Sequence, residues 1–498
     1  MKQKIACIIV FVTMLAACQK TAIQQKIDLS GTWKFAMDSS DKGISEGWFS
    51  QNLTDTLTLP GSLTSNGKGD DITLKTPWVG QIVDSSFYKK PEYAKFRERG
   101  NIKIPFWLQP VKYYKGAAWY QKEVTIPEDW NGQSVGLFLE RCHWESRLWV
   151  DDKEVGMRNS LGTPHKYDLT KILTPGKHRL TLCIDNRVKD FDPGVNSHSI
   201  SDHTQSNWNG AVGQLYLEAR PMVKIQHIQV YPDIQNKKIA VKIKVQNLTG
   251  KATSAKLILS VQDAGKKNEE SFELKEGENT LEMSLEMGAD MKLWNEFHPN
   301  IYSLEASLKD QTSGQTDVST TTFGMREFKT KGKQILINDQ PTFLRGTLEC
   351  AIFPKTGYPA TDLAEWVRIF NVARAHGLNH MRFHSWCPPE AAFDAADQTG
   401  FYLHVEASSW ANQSTTLGDG KPFDKYLYEE SERMIEEYGN HPSFCMFVYG
   451  NEPGGPNQHQ FLTEFVNFWK SKDSRRIYTS GAGWPNLPVN DYLSDSNP

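Results

Sequence analysis

The chain has 498 residues, of which 39% are hydrophobic and 23% charged, with a formal net charge of -3. That length exceeds one ordinary core, so two to four domains are expected. The near-neutral charge and the lack of a long basic block argue against nucleic acid or another polyanion as partner.

At the N-terminus, Lys2 and Lys4 precede an apolar run from Ile5 to Ala17 that ends in "MLAACQK". The run is too short to span a bilayer as a helix, and small residues before Cys18 resemble a bacterial lipoprotein signal. Residues 1–18 are read as that signal, with Cys18 as the lipidation site. A plain secretory signal is the alternative. Either way the mature protein is exported, and the first reading places it in the bacterial cell envelope, at the outer membrane or in the periplasm. Membrane contact would then be through the lipid anchor only. The remaining cysteines have no close paired spacing, which argues against a zinc site. Cys142 and Cys183 could pair in an oxidising compartment or stand as two buried thiols.

Residues 25–221 read as short alternating strands divided by Gly, Pro and Asp turns. "AWYQKEVTIP", "SVGLFLERCHWESRLWVDDKEVG" and "GKHRLTLCIDNR" alternate apolar and polar positions, the pattern of an antiparallel β-sandwich. An irregular insertion rich in aromatic and basic residues lies between Ser65 and Lys115. The stretch "NSHSISDHTQSNWNG" holds His198, His203 and Trp208, which either reach toward a neighbouring site or form a structural turn. Residues 222–323 form a second β-rich stretch, whose length of about 100 residues suits an immunoglobulin-like sandwich.

From 324 to 498 the pattern changes to strict alternation of strand and helix. "TDLAEWVRIFNVARAHG" predicts an amphipathic helix with Thr361 as N-cap and Leu363, Trp366, Val367 and Phe370 on one face. "LNHMRF", "FYLHVE", "FCMFVY" and "RIYTS" supply further strands with helices between them. This is a parallel α/β architecture, either an eight-fold barrel or an open doubly wound sheet. The first strand is followed by no glycine-rich phosphate loop, which weakens the nucleotide-binding alternative.

Successive strands run into Glu349, into Arg382 and His384, into Glu406, and into Asn451 and Glu452. In a (β/α) barrel, chemistry collects at the carboxyl ends of strands. Paired carboxyls suit glycoside hydrolysis, one donating a proton to the glycosidic oxygen and the other attacking or polarising from the opposite face. An amide such as Asn451 can bond a sugar 2-hydroxyl, and Arg382 can hold a carboxylate ionised. Metal binding by Glu349, His384, Glu406 and Glu452 competes, although no recognisable ligand pair is present. Trp386, Trp410 and Trp484 follow the second, third and fifth strands. Each could stack on a sugar or fill space beneath a loop. An aromatic content of 11%, with 15 Trp, leans slightly toward a carbohydrate partner.

Several segments carry a family resemblance. "SGTWKF", "LWVDDKEVG", "WNGAVGQLYLEARP", "FGMREF", "INDQPTFLRG", "GLNHMRFHSWCPP" and "NHPSFCMFVYGNEPGG" occur in the order found in glycoside hydrolase family 2, the β-galactosidase, β-glucuronidase and β-mannosidase group. The resemblance implies a jelly-roll-like sugar-binding sandwich, an immunoglobulin-like sandwich and a (β/α)8 TIM barrel. It implies a retaining, exo-acting β-glycosidase that hydrolyses terminal β-linked sugars of oligo- or polysaccharides. Glu452 would be the acid/base, Asn451 its substrate-binding neighbour and Arg382 the supporting arginine. His384, Glu406, Trp386, Trp410 and Trp484 are further substrate-binding candidates. No cofactor is required by that chemistry, while a structural or assisting metal ion and the oligomeric state stay open.

"RGTLECAIFPKTGYP" and "RFHSWCPP" depart from the family's first and second strand endings, which leaves the sugar unassigned. The barrel stretch is also short, about 175 residues against the usual 250 or so. It has about five strands, so the expectation is a chain truncated within its barrel, with the seventh-strand nucleophile missing. A catalytically inactive carbohydrate-binding lipoprotein is the alternative. Pairing of Glu406 with Glu452 on adjacent strands is a third reading.

Overall fold

A computed structural model of the protein describes residues 25–73, 75–76, 89–101, 111–201, 207–353 and 355–494. The signal-like run, Cys18, His203 and much of the insertion between Ser65 and Lys115 lie outside the described residues. No helix among the described residues is long and apolar enough to cross a membrane.

The alternating N-terminal strands build a sandwich of one five-stranded and one six-stranded antiparallel sheet. Their inward residues, among them Trp33, Phe35, Leu137, Leu139, Leu148, Leu182 and Leu215, form one buried core. Cys142 belongs to that core, whereas Cys183 joins a separate aromatic cluster with Trp119 and Trp149. Both thiols are free, so no disulfide joins them. Within the insertion, Asp70–Asp71 pairs with Lys112–Tyr113, and Pro91–Arg97 forms a 3-10 helix.

The next unit packs a three-stranded against a four-stranded antiparallel sheet. Thr253–Val261 and Tyr302–Asp310 bury every second residue along their whole length, as strands with one face in a core should. Arg220 joins this unit to the first sandwich through an ion pair with buried Asp317 at 2.6 Å.

After a small antiparallel sheet, five parallel strands follow in simple order: β1 (Gly346–Glu349), β2 (His380–Phe383), β3 (Tyr402–Glu406), β4 (Phe444–Val448) and β5 (Ile477–Thr479). Helices α1 (Leu363–Ala375), α2 (Glu390–Thr399), α3 (Pro422–Tyr438) and α4 (Gln458–Lys472) connect them. Every residue of β3 and β4 is buried. Strand β1 is an edge, and it leaves Leu348 49% and neighbouring Phe343 77% exposed, where sequence alone suggests a buried strand.

Two local expectations are corrected. Asp362, not Thr361, caps α1, its carboxylate accepting the Glu365 N–H at 2.8 Å. Leu363 is therefore the first helical residue, and it faces outward, 39% exposed. The stretch that follows β5 is irregular and runs along that strand. Asp491 N–H bonds the Tyr478 carbonyl at 2.9 Å, and the Tyr492 hydroxyl and His404 Nε2 share a hydrogen bond at 3.0 Å.

Sandwich and barrel are locked together by buried polar groups. Arg141 donates to the carbonyls of Cys387, Pro388 and Gly162. From α3, Glu430 Oε1 accepts the Leu161 and Gly162 N–H groups at 3.0 and 2.8 Å and the Ser160 hydroxyl at 2.8 Å. His441, just before β4, pairs with Asp397 of α2 at 2.7 Å, and Asp397 also accepts the Ser443 N–H.

Candidate active site

The buried apolar run of β4 ends in Gly450, which holds φ +153° against the β3 loop. A Cβ there would meet the Ser409 carbonyl oxygen at 2.3 Å, so only glycine permits this approach. The chain then extends the sheet by one irregular step. Asn451 N–H bonds the Ser409 carbonyl at 3.0 Å and Glu452 N–H bonds the Ala482 carbonyl at 2.8 Å. Glu452 has left-handed backbone, with φ +37°, and is partly exposed at the strand's carboxyl end.

Behind it lies a continuous polar chain. Arg382 at the end of β2 donates from Nε to Glu406 at 2.5 Å and from Nη2 to the Asn451 side-chain oxygen at 2.7 Å. Asn451 is buried, and its Nδ2 has no hydrogen-bond partner among the described residues. With the oxygen committed to Arg382, the amide's two N–H bonds are its remaining hydrogen-bonding capacity.

Glu406 is 0% exposed, and its second oxygen accepts the Ser385 N–H at 2.6 Å. It supports Arg382 from within the barrel, with no exposed surface and a bond to each oxygen. Its burial and its two occupied oxygens also remove it as a partner carboxylate for Glu452. Glu349, at the end of β1, is half-buried and turns back on itself, accepting N–H groups from Ala351 and Ile352. Burial pushes its pKa up to about 7 against those two bonds.

The aromatic candidates separate. Trp386 is 2% exposed and packs edge-on against Phe383 and Phe353, so it belongs to the core and not to a stacking wall. Trp410 is half-buried at the mouth, its ring 4.8 Å from His384. His384 stacks on His198 of the sandwich at 4.3 Å. Burial holds the His384 pKa below the usual histidine value, with Arg382 assisting and Glu406 opposing. Trp484 is 44% exposed and donates from Nε1 to the Pro453 carbonyl at 2.7 Å, beside Glu452. Trp208 is buried edge-on against His143, a structural role.

Geometry thus brings together Arg382, Glu406 and Asn451 behind Glu452, with Trp410 beside His384 and Trp484 beside Pro453. Sequence reasoning missed Ser385 and Tyr492. Ser385 is a lone serine with no pattern around it. Tyr492 has an aromatic in a polar stretch as its only signal.

Three models of one family match consecutive stretches: the sugar binding domain of glycosyl hydrolases family 2 over residues 27–221, the family's central domain over 223–326 and its TIM barrel domain over 328–494. A β-galactosidase of Pseudoalteromonas haloplanktis is 22% identical over 507 residues, covering 97% of this chain and 45% of its own. A β-glucuronidase of Paenibacillus borealis is 22% identical over 449 residues, covering 85% and 67%. The chain spans about half the length of the first curated relatives it matches, 45% and 44%. Among solved structures, Bacteroides uniformis β-glucuronidase 2, covalently bound to cyclophellitol-6-carboxylate aziridine, has a TM-score of 0.69 at 18% identity, covering 92% of this chain and 52% of its own. A galacturonate-bound β-galacturonidase from Eisenbergiella tayi has a TM-score of 0.68 at 19% identity, covering 92% and 71%. With consecutive matches from 27 to 494 and the strand-end geometry above, the chain belongs to glycoside hydrolase family 2.

Proposed function

We propose that the chain carries the acid/base side of a retaining, exo-acting β-glycosidase site that releases terminal β-linked sugars from oligo- or polysaccharides. Glu452 is the general acid and base. In the first step it protonates the leaving glycosidic oxygen while a second carboxylate attacks the anomeric carbon. In the second it takes a proton from the water that displaces that carboxylate. The observation that carries this reading is the Asn451 amide, which precedes Glu452. Arg382 occupies its oxygen, and its buried Nδ2 has no partner among the described residues, which supports its use as a donor to a sugar hydroxyl. The attacking carboxylate is assigned to no described residue, since Glu406 is enclosed and both oxygens of Glu349 face its own turn. Relatives named β-galactosidase and β-glucuronidase support a terminal-sugar substrate. The chemistry uses side chains and calls for no cofactor. Export with lipidation at Cys18 completes the reading, and Cys18→Ser should release the protein from the membrane fraction.

The decisive experiment is Glu452→Ala in the full-length protein. Hydrolysis of an aryl β-glycoside with a poor leaving group should fall by about 10²–10⁴-fold. On the 2,4-dinitrophenyl β-glycoside, whose leaving group departs unaided, added azide should restore turnover by displacing the enzyme carboxylate to yield the β-glycosyl azide. An unchanged rate without azide overturns the assignment.

A further inference from the structure

One residue joins the N-terminal sandwich to the chain of groups behind Glu452. Ser385 is fully buried and holds φ +53°, a left-handed backbone that a serine rarely adopts. That conformation directs its N–H at Glu406 Oε2, 2.6 Å away. Its hydroxyl oxygen accepts the N–H of His198 at 2.8 Å, and its carbonyl accepts the Ser197 hydroxyl at 3.2 Å. Both donors sit on the sandwich loop, so two bonds from another domain surround this one residue. Sparsely populated backbone persists where surroundings over-determine it, and such residues gather at functional sites.

The loop itself is held against the barrel mouth. Trp410 N–H bonds the Pro193 carbonyl at 2.8 Å, and Val195 N–H bonds the Ser414 hydroxyl at 2.9 Å. Gly194 lies so close to the Trp410 carbonyl that a Cβ there would overlap it. From this clamp the bonds run without a gap: His198 to Ser385, Ser385 to Glu406, Glu406 to Arg382, and Arg382 to Asn451, the residue before Glu452.

We infer that Ser385 is a positioning residue through which the sandwich loop sets the placement of the Asn451–Glu452 pair. The inference rests on the assignment of Glu452 as acid/base. Its hydroxyl touches no reacting atom. It fixes the backbone that aims at Glu406, and Glu406 in turn fixes Arg382. Loss of the hydroxyl leaves the buried His198 N–H without its acceptor and frees Ser385 to drift. Glu452 then meets the leaving oxygen less often in the right geometry, and proton donation suffers most.

The test is Ser385→Gly in the full-length protein. Glycine adopts the left-handed backbone freely and keeps the N–H to Glu406, so only the hydroxyl link is removed. Phenyl and 2,4-dinitrophenyl β-glycosides are compared, with galactose or glucuronic acid as the sugar, whichever the protein hydrolyses. For the phenyl glycoside, which needs its leaving oxygen protonated, kcat/KM, which reports the first step alone, should fall about tenfold or more. For the dinitrophenyl glycoside, which leaves unaided, it should change by less than about twofold. Should the glycine variant not accumulate, Ser385→Ala removes the same hydroxyl and carries the same comparison. An unchanged phenyl rate, or equal falls on both substrates, overturns the inference provided Glu452→Ala is impaired on the phenyl glycoside. If Glu452→Ala is not impaired, the acid/base assignment fails, and this inference falls with it.

Discussion

The Asn451 side-chain oxygen accepts a hydrogen bond from Arg382 Nη2 at 2.7 Å, which fixes the face its amide presents. Without Arg382 the amide could turn over and offer its oxygen to the mouth. The cation on β2 therefore sets the polarity of the group beside Glu452.

Arg382→Ala should cost both stability and activity. It leaves the fully buried Glu406 carboxylate with only the Ser385 N–H, and uncompensated buried charges typically cost about 3–5 kcal/mol. Denaturant titration measures the first effect. Arg382→Ala with Glu406→Gln should recover part of that stability and none of the activity.

Asn451→Ala should lower kcat by about 10²-fold on ordinary aryl β-glycosides, as loss of one positioned donor does elsewhere. On the matching 2-deoxy glycoside the loss should be much smaller. Equal losses on both would show that the amide does not meet the sugar's 2-hydroxyl.

Two groups predict successive falls in stability as pH rises. Glu349 is raised from 4.5 to about 7, so the folded state holds a proton that the unfolded state releases. Its contribution is fully present at low pH and is lost as pH rises from 4.5 through 7. Glu349→Gln should flatten the fall in melting temperature across that window. For His441, burial disfavours the charge but the Asp397 carboxylate prevails, raising the pKa from 6.5 to about 9. The stability it gives is complete below 6.5 and disappears as pH rises through 9. His441→Asn should be most destabilising below pH 6.5 and nearly neutral above pH 9, as followed by thermal melts.

Trp386 and Trp484 look alike in the sequence and should respond differently. Trp386→Ala empties a core site and should cost about 3–5 kcal/mol. Trp484→Ala removes an exposed ring and should change stability by less than about 0.5 kcal/mol while raising KM.

What the sequence reveals follows from how each feature is encoded. Strand β4 is an unbroken apolar run because both its faces are covered, and the run stops visibly at Gly450-Asn451-Glu452. The charged strand ends are legible as ionisable residues that close each apolar segment, Glu406 after Val405 and Glu452 after the β4 run. Which of them faces a ligand is not legible. Glu406 and Glu452 are both glutamates at strand ends, and only the bonds to Arg382 and Ser385 separate support from chemistry. Trp386 is hidden likewise, since a core ring and a platform ring share one letter. The path of the terminal stretch along β5 depends on Asp491 and Tyr492 meeting β5 and β3, contacts that no local pattern encodes.

The carboxylate of Glu430 reaches from a barrel helix into the 160–162 turn of the sandwich. Opening the sandwich strands the buried Glu430 carboxylate, and opening the barrel strands the Leu161 and Gly162 N–H groups, so thermal unfolding of the two should be a single cooperative event. In hydrogen–deuterium exchange, the Leu161 and Gly162 amides should then exchange at the rate of global unfolding, slowly for residues that lie in a turn. A calorimetric scan of Glu430→Gln should split into two transitions where the parent protein shows one.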